Sequence, residues 1–488
     1  MSERQPGEIA RLGAKVRGLR RRENLSQVRL AEQLGISPSY LNLIESNRRP
    51  LPAPLLIKLA QLFHVELSSF AVDEESRAAA DLMEAFSDPL FEPLDLTTVD
   101  VRELATSSPA AAQAVLTLYR AYTSARESAD ALASRLFEGE QYASTNSPAV
   151  MDRSRLPPEE VSDLIQRHMN HFPELEAGAE ELWREAKLEQ EDLYSGLVRH
   201  LGRAHRVEVR IGHWREEQST LRRFDPERRV LMLSELLPTR SRSFQIAHQI
   251  ALLQGRRELD RIAADPRLTT DESRALARVA MASYFAGAVM LPYERLLAAA
   301  ESERYDIDLI GRRFRVGFEQ VCHRLTTLRR PGAEGVPFHM IRTDMAGNIS
   351  KRFSGSGIRF AQFSGACPRL NIFAAFSTPG MLRIQLSRMP DGVVYFCIAR
   401  TIQKDSGGYH AGQGFQAIGL GCQIEHARKL VYADGIDLDN PDIVVPVGVT
   451  CRPCERDDCG QRVLPTLHHP LHVDPNTRHM TLYTVGPK

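Results

Sequence analysis

Residues 26–47 read SQVRLAEQLGISPSYLNLIESN, and the glycine in the middle leaves this stretch few ways to fold. Ser26 precedes a helical apolar spacing at Leu30, Ala31 and Leu34, so its hydroxyl can cap a helix that Gly35 ends in the left-handed conformation. Only Ile36 separates that glycine from Ser37-Pro38, a second cap with proline at the first helical position. Leu41 and Ile44 then turn toward the first helix. Two short helices joined so tightly must cross steeply and bury one shared side. Upstream, EIARLGAKVRGLRRREN sets Ile9, Leu12, Val16 and Leu19 on one face with arginines opposite. Downstream, Pro54 begins PLLIKLAQLF, and ELSSF opens a fifth helix. The spacing predicts an all-α helix-turn-helix head over residues 1–72.

Charge says what such a head is for. The chain is neutral overall, but residues 1–70 hold eleven Lys/Arg against six Asp/Glu, and residues 71–100 hold nine acidic residues and one basic. A basic head behind an acidic collar calls for an anionic partner, with nucleic acid first. The head resembles the Xre/Cro-type DNA-binding family at Gln27, the Gly35 turn, Pro38-Ser39-Tyr40 and ESNRRP ending at Pro50. That resemblance implies that the helix at 37–46 enters the major groove of double-stranded operator DNA. Ser37, Ser39, Tyr40, Asn42 and Asn47 then face bases and phosphates, Gln27 binds a phosphate from a helix N-terminus, and Arg48 and Arg49 clamp the backbone. Such heads read half-sites, so a homodimer or higher homo-oligomer is expected.

At 488 residues the chain exceeds one core. An acidic helical connector is predicted over 73–150, with a Gly- and Pro-free amphipathic helix at 109–137 and a polar linker after it. Residues 151–330 read as mainly helical with a small sheet: VEVRIG and RRVLML flank a turn at Asp225-Pro226, and SRSFQIAHQIALLQG follows as a helix over 241–255. This order resembles the ImmA/IrrE metallopeptidases. Their H-E-x-x-H motif needs two imidazoles one turn apart for zinc and a glutamate to activate water. Here the matching residues are His248, Gln249 and Leu252, so the general base and the second ligand are missing. No catalytic residue is assigned, His248 is read as a core residue, and the segment is read as scaffold, dimerisation surface or ligand pocket. The apolar stretch ARVAMASYFAGAVMLPYERLLAAAE is likewise read as core.

From Gly335 onward Gly, Phe and β-branched residues rise. LRIQL and VVYFCIA around MPDG predict antiparallel strands; a short helix is expected near Cys367-Pro368, a further strand and a helix from Ile424 follow, and a final strand spans HVDPNTRHMTLYTV. This gives an α+β regulatory module over 335–488. It contains CRPCERDDCGQR, where Cys451, Cys454 and Cys459 lie within nine residues of a chain with seven cysteines. No apolar run approaches the ~18 residues of a membrane span, and the N-terminus has no signal-type stretch, so a cytoplasmic, reducing setting is expected. Clustered thiols there bind metal rather than pair as disulfides. Structural zinc and a [4Fe–4S] cluster fit the spacing equally. Cys422 is the first choice for a fourth ligand, ahead of His426, His468 and His469, while Cys322, Cys367 and Cys397 read as ordinary buried thiols.

Taken together, the head, the defective peptidase-like centre and the C-terminal stretches GNISKR, CPRLNIFAAF, GLGCQIEHA, LVYADG and CRPCERDDCGQR resemble the short-chain fatty acyl regulators over nearly the full chain. The resemblance implies a bacterial transcription factor that senses acyl-CoAs such as propionyl-CoA and adjusts propionate, methylcitrate or glyoxylate metabolism. It favours an iron–sulfur cluster over zinc. Coenzyme A needs cations for its phosphates. Lys351, Arg352, Arg359, Arg369 and Arg383 offer them beside the turn glycines Gly347, Gly355 and Gly357. Two other readings compete: a redox or metal sensor whose input is the cysteine cluster, and a zinc peptidase regulator, which Gln249 and Leu252 disfavour.

Overall fold

The computed structural model describes residues 13–22, 25–46, 48–49, 51–63, 73–88, 90–91, 96–137, 157–213, 220–361, 366–404, 414–451, 454, 456, 459–462, 471–472 and 484–485. They fall into two compact units, within 1–154 and 155–488.

The first unit is helical. Helices α1 (Gly13–Arg22), α2 (Gln27–Leu34), α3 (Pro38–Glu45) and α4 (Ala53–Leu62) form the head. Ser26 Oγ accepts the Arg29 N–H and Ser37 Oγ accepts the Tyr40 N–H, each at 3.2 Å, while Gly35 takes φ 72°. Both caps and the left-handed turn are therefore as the sequence predicts. Val16, Leu19, Leu30, Leu34, Leu41 and Leu59 form the small core. Ile9, Leu12, Asn47, the ELSSF helix and the linker after residue 137 lie outside the described residues. One feature escaped the apolar pattern: Glu45, at the end of α3, is buried. Arg20 grips its two carboxylate oxygens at 2.7 and 3.0 Å, and Arg17 donates to its carbonyl at 3.0 Å. A two-pronged charged clamp thus fixes α3 against α1. The collar follows as α5 (Asp73–Ala85), α6 (Thr98–Ser107) and α7 (Pro109–Phe137), with Leu82, Val101, Ala112, Leu116 and Tyr119 packed inside.

The second unit opens with α8 (Pro157–Arg167), α9 (Pro173–Glu185) and α10 (Leu193–His205). Strands β1 (Glu208–Gly212), β2 (Arg222–Asp225) and β3 (Val230–Ser234) form a sheet in the order β1-β3-β2; the two stretches read from the sequence, β1 and β3, run parallel, and the hairpin at Asp225-Pro226 joins β3 to β2, which the apolar pattern did not single out. Then come α11 (Thr239–Gln254), α12 (Arg256–Ala263), α13 (Asp271–Met290), α14 (Tyr293–Ser302), α15 (Ile307–Phe314) and α16 (Phe318–Leu325). Inside this helical mass lies a buried ion pair. Arg324 on α16 meets both oxygens of Glu176 on α9 at 2.6 Å, the Tyr284 hydroxyl donates to Glu176 at 2.6 Å, and the Arg324 Nε–H reaches the Leu291 carbonyl at 3.0 Å. Burial alone would raise the Glu176 pKa, but the Arg324 charge and hydrogen bonds outweigh it and hold the carboxyl below its usual range.

The composition changes at Gly335, yet the hydrophobic core does not. Strands β4 (His339–Asp344), β5 (Ile349–Ser354), β6 (Arg383–Arg388), β7 (Val394–Lys404), β8 (Gly414–Gln423) and β9 (Val444–Pro446) build a mixed sheet in the order β5-β4-β8-β7-β6-β9. All its pairs are antiparallel except β6 with β9. One face, with Met340, Leu386, Phe396, Ile398, Ile418, Leu420 and Cys422, continues the helical core. The other is covered by the short helix α17 (Asn371–Ala374), which packs Ile372 on Ile341, Ala399 and Ala417. Crossing contacts tie the halves together. Arg304 pairs with Asp434 at 2.7 Å, Arg400 with Asp308 at 2.8 Å, and the Val431 N–H reaches the Arg304 carbonyl at 2.8 Å. The segment expected as a helix from Ile424 is a 3-10 turn through Lys429, with only Ala427 buried, because its apolar positions do not repeat over enough turns. The final strand is described only as the two-residue pair β10 (Leu471–His472) and β11 (Thr484–Val485).

Because Glu176 and Arg324 are both almost fully buried, removing either partner strands a charge. Glu176→Ala and Arg324→Ala should each destabilise the unit by about 3–5 kcal/mol in urea unfolding, and the double change to apolar residues should cost less than the sum. Additive losses would show that the two side chains act independently.

Candidate DNA-binding face and effector pocket

In the head, α3 is capped at its start and clamped at its end, so its outward side chains are held on a rigid rod. Ser37, Ser39, Asn42, Arg48 and Arg49 are exposed, and Tyr40 is half-buried with the Arg49 guanidinium 5.3 Å from its ring centre. Arg48 and Arg49 are positioned by backbone N–H bonds from both residues to the Leu43 carbonyl, 2.8 and 3.1 Å long. The turn therefore places two fixed positive charges and a set of small polar groups on one side of a helix. Gln27 lies between the two helices. Its amide donates to Asn42 at 3.3 Å and to Glu45 at 3.1 Å, so it braces α2 against α3. The first helical residue of α2 thus helps to set the angle of the reading helix.

In the centre, His248 and Gln249 on α11 are buried, as a core reading requires. Leu252 packs at the edge of the same core. His248 bonds through its ring to the backbone of Val279, and Nδ1 meets the guanidinium of Arg222 from β2. Burial and that neighbouring positive charge push the imidazole pKa down to about 4, so it is neutral. A fixed cation thus stands against the imidazole that a peptidase would give to zinc.

The thiols separate by sheet face. Cys422 was expected to join the cysteine triplet, but it does not. It lies on β8 in the core shared with the helices, fully buried, because residues alternate faces along a strand. Cys367, read from the sequence as an ordinary buried thiol, takes that place instead: it lines one small pocket with Cys451, Cys454 and Cys459. The Cys367 N–H binds the Val449 carbonyl at 3.0 Å, which draws its loop to the triplet. His426 does not line this pocket, and His468 and His469 lie outside the described residues. Arg462 gathers the triplet loop by donating to the carbonyls of Cys451 and Cys454 at 2.8 and 2.9 Å. Gly448 allows the close approach, since a Cβ there would sit 3.0 Å from Cys454 Sγ. The Thr450 hydroxyl, buried in the same wall, has no hydrogen-bond partner among the described residues. Among the described residues no three such side chains converge on one point at metal-bonding distance. The donor set nevertheless suits a thiolate-ligated group, with four sulfurs lining one pocket.

Two of the five cations chosen for coenzyme A come together. Arg369 and Arg383 line an open depression of about 350 Å³ with Asn371, Ile384, Gln385 and Gln461. Pro368 and Arg369 also line the cysteine pocket, so the two cavities share a wall. The other three lie elsewhere. Lys351 is 3.3 Å from Glu319, Arg352 donates to the Ala361 carbonyl at 3.0 Å, and Arg359 lies close enough to Tyr395 for its charge to be felt there. Gly347 and Gly357 do adopt positive φ, at 89° and 87°, whereas Gly355 is needed because a Cβ would lie 2.6 Å from the Phe338 carbonyl oxygen. A buried row crosses the sheet nearby. His339 on β4 lies over Gly421 toward Cys397, and its Nδ1 meets Ser356 Oγ at 2.8 Å. Burial drives its pKa to about 3, so this imidazole is neutral as well.

Comparison with known proteins agrees with this division. Residues 16–70 match a helix-turn-helix family, 203–326 an IrrE N-terminal-like domain, and 327–483 the C-terminal part of the short-chain fatty acyl coenzyme A regulators. The HTH-type transcriptional regulator PrpR of Mycobacterium tuberculosis is 38% identical over 466 residues, which is 95% of this chain and 93% of that one. The propionyl-CoA carboxylase regulator of Cereibacter sphaeroides is 38% identical over 479 residues, 97% of this chain and 98% of that one. A solved Mycobacterium tuberculosis transcriptional regulator superposes with a TM-score of 0.65 at 40% identity, covering 68% of this chain and all of the other. With similarity of this depth along almost its whole length, the chain belongs to the short-chain fatty acyl coenzyme A regulator family of helix-turn-helix transcriptional regulators.

Proposed function

We propose that this protein is an effector-gated regulator: paired heads grip operator DNA, and a short-chain acyl-CoA bound to the C-terminal sheet changes that grip. The observation that carries the reading is the capped and clamped α3 with the turn after it, presenting Ser39, Asn42, Arg48 and Arg49, in a chain that also holds the Arg369 and Arg383 depression. Charged phosphates suit those two guanidiniums, and the apolar rim at Ile384 and Val445 suits a pantetheine arm. The name of the Cereibacter relative supports propionyl-CoA as the first effector to try and propionate metabolism as the process controlled. A cytoplasmic location follows from that role. In fluorescence anisotropy with the promoter of the neighbouring acyl-CoA genes, propionyl-CoA or acetyl-CoA should shift the affinity at least fivefold. Arg48→Ala should weaken binding to all duplexes and flatten the salt dependence by about one unit of slope. Indifference to every acyl-CoA tried would count against gating.

The peptidase-like centre is read as inactive scaffold. Gln249 cannot take a proton, Leu252 cannot bind metal, and Arg222 brings a positive charge against His248. Zinc-loaded protein should cleave no partner protein, and His248→Ala should leave bound zinc unchanged. A loss of zinc with that substitution would revive the peptidase reading.

The cysteine pocket is read as the seat of a [4Fe–4S] cluster, with structural zinc as the alternative. Cys367, Cys451, Cys454 and Cys459 are the four thiolates that would hold it. A cluster supplies rigid cross-bracing of the terminal loop and, when exposed to oxidant, a one-electron couple. Anaerobically purified protein should be brown with a broad band near ~400 nm. Cys367→Ser should remove the band and Cys422→Ser should keep it. A colourless protein holding one zinc would exclude the redox-sensor reading.

A further inference from the structure

Helix α7 carries more apolar surface than its neighbours cover. Ala112, Leu116 and Tyr119 face the collar and are buried. The set one step round the helix is less covered over its described part: Leu118 is 72% exposed, Ala111 is exposed, and Val115 and Tyr122 are half-buried. Positions 111, 115, 118 and 122 are Ala, Val, Leu and Tyr. The same alternation of four and three continues in the sequence at 125, 129, 132 and 136 with Ala, Ala, Leu and Leu. An apolar spacing that averages 3.5 residues along the whole of a helix marks a seam for another long helix, because a helix packing on a globular neighbour follows the 3.6 period instead. Twenty-nine residues make a rod about 44 Å long, ample for such a seam.

Side-chain size selects the occupant. In an antiparallel pair with its two-fold axis between positions 123 and 124, position 111 meets 136, 115 meets 132, 118 meets 129 and 122 meets 125. Three of the four layers then set a Leu or Tyr against an alanine, and the fourth sets Val against Leu. In a parallel pair each position meets itself. Tyr122 then crowds Tyr122 and Leu118 crowds Leu118, beside all-alanine layers that leave voids. Symmetry therefore makes a second copy of α7 its own complement.

We propose that α7 pairs antiparallel with α7 of a second copy and so sets the spacing of the two heads. The collar holds α7 near Ala112 and Leu116, and α6 also touches α1. Those anchor points lie about 30 Å apart along the pair, close to the ~34 Å between half-sites one DNA turn apart. The consequence for DNA spacing rests on the DNA-binding reading above; the pairing itself does not.

The test uses the full-length chain. Leu118→Cys/Ala129→Cys, oxidised beside the parent chain as a control for its own thiols, should form a disulfide-linked dimer, while Leu118→Cys alone, about 16 Å from its symmetry mate along the pair, should not. Leu118→Lys, at an exposed position, should leave the circular dichroism unchanged and halve the particle mass in sedimentation equilibrium. It should weaken binding to the promoter duplex at least tenfold while changing binding to a single half-site less than twofold. Cross-linking through Leu118→Cys alone, or an unchanged mass for Leu118→Lys, overturns the proposal. Cross-linking as expected in a protein that binds no duplex supports the pairing and overturns the DNA-binding reading instead.

Discussion

The second unit is organised around one carboxylate that has left water. Glu176 sits where α9, α13 and α16 meet, and its charge is tolerable there only because Arg324 and the Tyr284 hydroxyl satisfy both oxygens. The same guanidinium binds the Leu291 carbonyl at the end of α13, a backbone acceptor that helix geometry leaves open. Three helices and one helix terminus are thus fixed relative to one another by a single planar cation. The sheet that follows is built onto this body, and its inner face adds Ile398, Ile418 and Leu420 to the same core.

That continuity bears on how an effector signal would travel. A change on the outer face of the sheet, near Arg369 and Arg383, meets strands whose inner face is already part of the helical core. The cross-links at Arg304 with Asp434 and Arg400 with Asp308 add charged contacts across the same boundary. Packed interiors of this kind shift between discrete arrangements more readily than they bend. The first unit repeats the device on a smaller scale, where Arg17, Arg20 and Gln27 hold Glu45 and with it the angle of α3.

Much of this was legible in the sequence because it is local. Caps, the Gly35 turn, the turn at Asp225-Pro226 and the length of α7 each depend on residues a few positions apart, which periodicity and turn chemistry report directly. What depends on distant residues was not. Glu45 and Glu176 look like surface carboxylates until their arginines arrive from other helices. Cys422 and Cys367 show the same limit at the candidate site. Cys422 is nearer the triplet in sequence, but it belongs to an alternating strand, and alternation sends it to the wrong face. Cys367 stands next to Pro368, where the sequence reads the start of a short helix, and only tertiary folding returns that segment to Val449. The family resemblance suggested the class of effector; it did not choose among five cations, of which Arg369 and Arg383 line one depression.

The contact of Arg222 with His248 has one more implication. Where a metallopeptidase must scavenge its Lewis acid from the cell, this chain carries a positive charge on a covalent tether, written into the gene. Such a charge cannot be removed by a chelator, competed away by another metal or lost in starvation. Whatever geometry it enforces on α11 and β2 is therefore constant across growth conditions.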